Sequence, residues 1–582
     1  MPKPPVPYLD HTLSRYLEYA RVVAHNNKDA IKRTEEAVSQ FRKTGIDLQL
    51  KLQKFADGND NWINNFWLPE MYLKVRLALP VNSNPAYIFP EQKFANINEQ
   101  LKKLIDREMS TGKIKVPMCM EQYNRILSCY REPHKIEDIQ HYKRSDKNTR
   151  SQWNEHILVM SNNQTFILFT RVGGILLPQT EIIYQLSEIV RMSDGRAQDV
   201  VLPIAGGSVG NRDDAAAFWE LMKEVPENLQ SLDLVRKSLF VVCIDRPRNL
   251  IKFRNDLESK MAIKGLHMLH GFGKENWGLN RWYDATIQII ISSDGTNGLC
   301  IEHSVAEGIV IINMGEFSIN YAMKNMRRKI IAEPKAKIHP KPLTWLVSPQ
   351  AKNIMWKQIA EFQRLSEDLE LSVLIFTDFG KEFIKSCLIS PDGFVQLSMQ
   401  LAYYKVHQHL VSTYESASIR RFRLGRVDNI RAATPEALQW VQAMVDKDKP
   451  VVKLLISLFP VIYITNITGH GIDNHLCALK LLAIEEMKQG RLEKLPSIFQ
   501  DSVWDETMRF PLSTSQVTTT TTAPDVYLCY GPVVKDGYGC SYNLQSNKII
   551  FAPSAFRSCS KTKIDSFKAA LTESLRDMRA II

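Results

Sequence analysis

Apolar positions change period several times along the chain, and the changes outline a mixed protein. Residues 8–55 read as helices with polar outer faces. His156–Met160 and Thr165–Thr170 read as a hairpin around an Asn-rich turn, and the apolar run Ser238–Ile244 reads as a buried strand. Ile287, Ile289 and Ile291 share one face of a further strand. Asp294-Gly295 then supplies a turn, Gly298–Glu302 returns, and His303 follows at the strand end. Thr434-Pro435-Glu436 combines a capping hydroxyl, a proline at the first helical position and an early acid, which predicts a helix start. Residues 526–552 read as a meander, with turns at Lys535-Asp536-Gly537 and around Ser546-Asn547. Ile564, Phe567, Leu571, Leu575 and Met578 then fall on one face of a final helix. Thr518–Thr522 fits an extended segment or loop. No repeat with a period of about 20–50 residues stands out, and the absence of a Gly/Ser linker predicts closely packed domains. The expected class is α/β, with two layered domains.

Composition narrows the functional classes. With 582 residues, 44% hydrophobic and 24% charged, the chain can bury a large core and fill two to four domains, or two large ones. No apolar run approaches the ~18 residues of a membrane span. The N-terminal MPKPPVPYLDHTL lacks the apolar core of a signal peptide, and the C-terminal RDMRAII is neither a peroxisomal tripeptide nor a lipidation box, so a cytosolic protein is expected. Nine cysteines lie between Cys119 and Cys559 with no CxxC pair, which predicts reduced core thiols rather than disulfides or a zinc site. The net charge of +11 favours anionic partners. No zinc finger, RNP string or basic zipper accompanies it, so nucleic acid is not expected, whereas a polyphosphorylated cofactor suits such a surface.

The string Gly298-Leu-Cys-Ile-Glu-His303-Ser-Val-Ala-Glu307-Gly308 carries the candidate chemistry. A histidine on an apolar strand is ordinarily a satisfied core residue, and no further ligands at metal spacing accompany this one. The surrounding strings change its reading. His303 to Gly308 resembles the HxxxD/E-G motif of CoA-dependent acyltransferases. Pro4-Pro-Val-Pro-Tyr-Leu, Leu79-Pro-Val-Asn-Ser83, Leu269-His-Gly-Phe-Gly and Asn280-Arg-Trp-Tyr-Asp284 resemble signatures of the carnitine/choline acyltransferase family. Thr413-Tyr-Glu-Ser-Ala-Ser418, Gly425-Arg426, Ser513-Thr-Ser-Gln-Val517 and Tyr530-Gly-Pro-Val-Val534 continue the likeness in order, over nearly the whole chain.

The resemblance implies two similar α/β domains around an active-site tunnel at their interface, each with a mixed sheet and helices. The catalytic domain would be residues 88–372, and the second would join 1–87 to 373–582. It implies transfer of an acetyl group from acetyl-CoA, a co-substrate rather than a resident cofactor, to the hydroxyl of choline; the alternatives are an O-acyltransferase of the same family acting on carnitine or another amino alcohol, and a catalytically silent CoA-binding paralogue. An imidazole at His303 would act as general base in a ternary complex without an acyl-enzyme. Ser515 would donate to the oxyanion, and Glu307 would pair with Arg426 to fix the active-site wall. Lys381 and Lys385, four apart, would meet the 3′-phosphate of CoA on one helical face, with Asp392, Arg421 and Ser513 beside them. Tyr414, Val427, Asn429, Asn474 and Tyr530 would shape the choline pocket. Asn474, Val427 and Asn429 stand where carnitine enzymes have an arginine and threonines, because choline brings no carboxylate and an unpaired arginine would be costly. Tyr530 would lay an aromatic face against the quaternary nitrogen. A monomer without metal, in the presynaptic cytoplasm of neurons, is implied as well. Two residues depart from the pattern: Phe272 replaces a glycine, where it would narrow the tunnel nearby, and Glu307 replaces the aspartate usual in choline enzymes.

Overall fold

The computed structural model describes residues 1–25, 27–91, 118–142, 155–195, 201–246, 256–324, 333–446, 465–517 and 525–582. Thr518–Thr522 lies outside the described residues.

The predicted hairpin forms from His156–Ser161 and Gln164–Phe169, closed by Asn162 and Asn163 at φ 51° and 60°. Asparagine tolerates this left-handed region better than other side chains, so the Asn-Asn pair sets the turn. Val241–Asp245 runs parallel to the first hairpin strand and to Ile287–Ser292, which pairs antiparallel with Asn297–Ile301. These strands lie in an eight-stranded sheet, with Ala86–Ile88 and Tyr527–Cys529 continuing it beyond 297–301. Both faces are covered. Leu158, Met160 and Cys243 enter one core, while Ile157, Val159 and Val242 enter another. This explains why the 241–245 strand reads as an apolar run.

The second sheet has seven strands. Thr413–Ser418 pairs antiparallel with Val427–Ile430 and parallel with Leu512–Val517, which runs parallel to Tyr538–Leu544, itself antiparallel to Ile549–Phe556. Hairpin, central strand, hairpin follow one another here in the same chain order and with the same pairing signs as in the first sheet. The chain therefore consists of two similar mixed-sheet domains, a repeat carried by topology that side-chain identity does not reveal.

One local expectation changes. Residues 526–552 are not one meander. Tyr527–Cys529 leaves for the first sheet, antiparallel to Ala86–Ile88, while only 538–544 and 549–556 form the hairpin. Leu369–Leu371 pairs with Ile549–Phe556 in the second sheet. A three-residue apolar strand does not encode its sheet, because partner choice is settled by packing from distant segments.

The helices form as their patterns predict. Thr434 caps Pro435–Val445 by accepting from Ala437 N, and Ile564–Ile581 buries Ile564, Phe567, Leu571, Leu575 and Met578. The N-terminal helices Leu9–Val23, Lys28–Thr44 and Ile46–Gly58 share a core with Asp473–Lys488 from the C-terminal third. All nine cysteines are unpaired, as their spacing predicts. Burial pushes the thiols of Cys129, Cys243, Cys300 and Cys540 up to about 12, which keeps them protonated and inert. No described helix is long and apolar enough to cross a membrane.

Candidate active site

His303 leaves the edge of strand 297–301 where the two sheets meet, and a set of charges from both halves fixes it. Arg426, just ahead of strand 427–430, donates from Nη2 to the His303 carbonyl (3.0 Å) and from Nη1 to the Ser304 carbonyl (2.6 Å). Its Nε donates to Glu307 Oε1 at 2.6 Å. This lock is buried on both sides. Burial works to raise the Glu307 carboxyl, and the Arg426 charge overcomes it and holds the group below the usual carboxylate range. Gln122 braces the same corner, accepting from Glu307 N at 2.8 Å and donating to the Gly425 carbonyl at 3.0 Å.

The imidazole is held by two bonds. Gly308 N–H donates to Nε2 at 3.1 Å, and the Tyr72 hydroxyl lies 2.8 Å from Nδ1, its ring stacked on the imidazole at 5.9 Å. Because a backbone N–H can only donate, Nε2 carries the lone pair, so in the neutral ring the proton sits on Nδ1 and the Tyr72 oxygen accepts it. Burial pushes the His303 pKa below 6.5. Glu307, with Oε2 3.8 Å from Nε2, opposes that shift, and Arg426 adds to it. The ring is therefore neutral at working pH, while 21% of the side chain stays exposed for a reactant. A base, its orienting hydroxyl and a nearby acid make an arrangement suited to removing a proton from an alcohol.

Tyr72 was not visible in the sequence pattern. It lies in Pro69–Leu73, a short π-helical turn that follows the helix Ile63–Leu68. Proline at 69 lacks the N–H that α-helical continuation needs, and such bulges frequently mark functional sites. Arg131 donates to the Tyr72 carbonyl and to Glu302 Oε1 (3.2 Å), tying the turn to the residue before His303. The Arg426 guanidinium lies over the rings of Trp67 and Tyr72, 5.3 and 5.9 Å from their centroids.

The remaining expected residues distribute as follows. Ser513, paired with Tyr414 across the parallel ladder, shares one face of its strand with Ser515. Ser515 is half-buried. Tyr530 donates to the Ser513 carbonyl at 3.1 Å, and Tyr414 bonds Ser416 at 3.0 Å. Asn474 donates to the Val427 carbonyl (3.1 Å) and keeps Oδ1 buried without a partner. Asn429 accepts from Glu415 N (3.0 Å) and keeps Nδ2 in the same condition. Val427 packs into the helical core with Trp62 and Leu476. Arg431, just past the end of that strand, is closed by Asp473 at 2.7 and 3.0 Å.

Lys381 and Lys385 stand on the short helix Lys381–Ser386, with Lys385 3.8 Å from Glu382. Arg421 is exposed in the turn between strands 413–418 and 427–430. Asp392 turns inward instead. It accepts from the Tyr542 hydroxyl at 2.5 Å and shares a hydrogen bond with Glu415, whose carboxyl burial and Asp392 hold well above its usual range. Phe272 sits at φ 57° against His267, His270 and Trp277.

Comparison with known proteins gives the family. Residues 4–573 match the Choline/Carnitine o-acyltransferase family, and the chain belongs to that family, whose members use acyl-CoA as co-substrate. Among curated proteins it is 37% identical to choline O-acetyltransferase of Homo sapiens over all of this chain and 79% of that protein. It is 36% identical to carnitine O-acetyltransferase of Columba livia over all of this chain and 93% of that one. The choline O-acetyltransferase of Drosophila melanogaster matches at 32%, over all of this chain and 88% of the relative.

Proposed function

We propose that this acyltransferase carries the acetyl group of acetyl-CoA to the hydroxyl of choline. The observation that carries the choice of alcohol is the charge state of strand 427–430. Its two neighbouring guanidiniums, Arg426 and Arg431, are each closed by an acid, Glu307 and Asp473, and Asn429 and Asn474 offer only amides. A carboxylate brought to this wall would find no spare cation, and an unpaired buried charge is strongly unfavourable. Asp428 strengthens the preference for a cation. Burial and Asp473 push its carboxyl up to about 7, so a positive guest would favour its ionised form.

The geometry supports the following course of reaction. His303 Nε2 exchanges the weak Gly308 N–H for the choline O–H and takes its proton. The alkoxide oxygen attacks the thioester carbon, and the oxyanion falls to the Ser515 hydroxyl. Collapse breaks the C–S bond, and the imidazolium returns its proton to the leaving thiolate. Glu307 and the Tyr72 oxygen stabilise the transient charge on the ring. Tyr414 and Tyr530 present aromatic faces to the quaternary nitrogen. Lys381, Lys385 and Arg421 form the cationic grip for the CoA phosphates, with Ser513 near its thioester end. The seat of this chemistry is the domain spanning residues 88–372, the remainder forming the second domain, in a cytoplasmic monomer serving presynaptic acetylcholine synthesis.

The test is acetyl transfer measured in parallel with choline and carnitine, for the parent and for the triple variant Val427→Thr/Asn429→Thr/Asn474→Arg. The parent should prefer choline in kcat/KM, and the variant should gain carnitine use and lose choline use. A parent that prefers carnitine overturns the assignment.

A further inference from the structure

A small antiparallel hairpin stands apart from both large sheets. It pairs Cys129–Glu132 with Ile139–Tyr142, and Arg131 lies directly opposite Gln140. We propose that this hairpin sets the bond between Tyr72 and His303, with Arg131 and Gln140 as positioning residues and Asp138 as their anchor. The inference rests on the reading of His303 as base and Tyr72 as its orienting partner, and it names what holds the two at their distance.

The contacts of the hairpin land on both sides of that bond. On the tyrosine side, Arg131 Nη2 donates to the Tyr72 carbonyl, and the Asp138 N–H donates to the next carbonyl, that of Leu73, at 2.8 Å. On the histidine side, Arg131 Nη1 donates to Glu302 Oε1 at 3.2 Å, and Gln140 Nε2 donates to the Ser304 hydroxyl at 2.7 Å. Glu302 and Ser304 flank His303 in the chain, and the Ser304 hydroxyl ties them together by donating to Glu302 Oε2 at 2.7 Å. Opposite residues of an antiparallel pair project to the same face, so Arg131 and Gln140 act from one side of the hairpin. One piece of structure thus grips the turn that carries the hydroxyl and the strand end that carries the imidazole.

That piece is held stiffly. Asp138 Oδ2 accepts from Arg131 Nε at 2.8 Å and from Arg212 Nε at 2.7 Å, and its Oδ1 accepts from Arg76 Nη1 at 3.1 Å. Arg212 Nη1 closes on Asp284 Oδ1 at 2.6 Å. Arg131, Asp138, Arg212, Asp284 and Glu302 are all buried. The backbone is fastened as well: Arg131 N donates to the Asp284 carbonyl at 2.9 Å, and Ser128 N to the Leu239 carbonyl at 3.0 Å. A buried charge network of this kind adds little stability over a well-packed apolar one. What it fixes is direction. The three arms of the Arg131 fork end on Asp138, Glu302 and the Tyr72 carbonyl, and a planar fork with every arm met admits one pose. Misplacing a reacting group by about 1 Å can cost about 100-fold in rate, so a rigid mount for the base and its partner has a direct catalytic effect.

The experiment is steady-state acetyl transfer from pH 5 to 8 for Arg131→Lys and Gln140→Leu, each alone and combined with Tyr72→Phe. Lysine keeps the charge of Arg131 but cannot meet three acceptors from one planar fork. Neither variant replaces Glu307, Arg426 or Glu302, the charged groups around the imidazole. We expect Arg131→Lys to lower kcat about fivefold or more and Gln140→Leu about threefold, with both KM values held. The acid limb should move to lower pH, because a strayed Tyr72 oxygen supports the imidazolium less. In the Tyr72→Phe background neither variant should cost anything further. Losses that multiply with that of Tyr72→Phe, a raised KM with kcat intact, a fall in thermal stability with the acid limb in place, or an unchanged kcat in the folded variants would each overturn the proposal. If Arg131→Lys does not fold, Gln140→Leu decides alone. A full kcat in Tyr72→Phe by itself would overturn the reading of Tyr72, and this proposal with it.

Discussion

Replacing Tyr72 by phenylalanine removes one oxygen and leaves the rest of the site in place. The ring keeps its stacking on His303 at 5.9 Å, and Arg131 still anchors the turn through the backbone carbonyl. What disappears is the acceptor 2.8 Å from Nδ1. A donor stranded in a buried place costs about 1–3 kcal/mol, and each 1.36 kcal/mol on the barrier is tenfold in rate, so kcat should fall about 5- to 150-fold. The hydroxyl also supports the imidazolium more than the neutral ring, because it accepts from a charged N–H. Its loss should therefore depress the His303 pKa further below 6.5, and the acid limb of the rate profile should move to lower pH. The assay is steady-state acetyl transfer from pH 5 to 8, with KM for acetyl-CoA followed separately and expected to hold. A full kcat, or an acid limb displaced upward, would refute the reasoning that Tyr72 orients and supports the base.

Three further outcomes are expected. Glu307→Gln strips Arg426 of its anion in a buried place, a loss of about 3–5 kcal/mol; thermal unfolding should shift down and turnover should collapse, whereas Glu307→Asp should recover part of both. Burial pushes His270 and His475 down to about 3, so the folded state keeps them neutral while the unfolded chain protonates them near 6.5. Stability should thus be intact above about pH 6.5 and decline steadily toward pH 3, read by denaturant titration at each pH; a flat profile contradicts it. Lys381→Ala combined with Lys385→Ala should raise KM for acetyl-CoA about tenfold or more with kcat little changed, and the difference should shrink as salt is added; an unchanged KM removes the pair from the phosphate grip.

Local periodicity and capping were legible in the chain, and so were the family strings. The 156–169 hairpin, the Thr434 cap and the final amphipathic helix each follow from residues close in sequence, where a turn or a helical stripe states its own geometry. The spacing of His303, Glu307 and Arg426 was legible through resemblance to a family, since the bond from Arg426 to Glu307 spans 119 residues. What stayed hidden depends on contacts between distant segments. Tyr72 reaches His303 across 231 residues by way of a π-helical turn, and nothing in Glu70-Met71-Tyr72 announces a partner. Resemblance puts Asp392 beside the CoA lysines, and its carboxyl meets Tyr542 150 residues away. The duplication of the fold was equally silent, because pairing order survives where side-chain identity does not.

The short strand 527–529 has a consequence for how reactants come and go. It starts from the half that carries the serines and is hydrogen-bonded into the sheet of the half that carries the histidine. A clamshell cycle that swung the halves apart would have to peel this staple from Ala86–Ile88 at every turnover. Any parting of the two sheets along this seam is therefore opposed by backbone hydrogen bonds, and the pairing holds them as one frame.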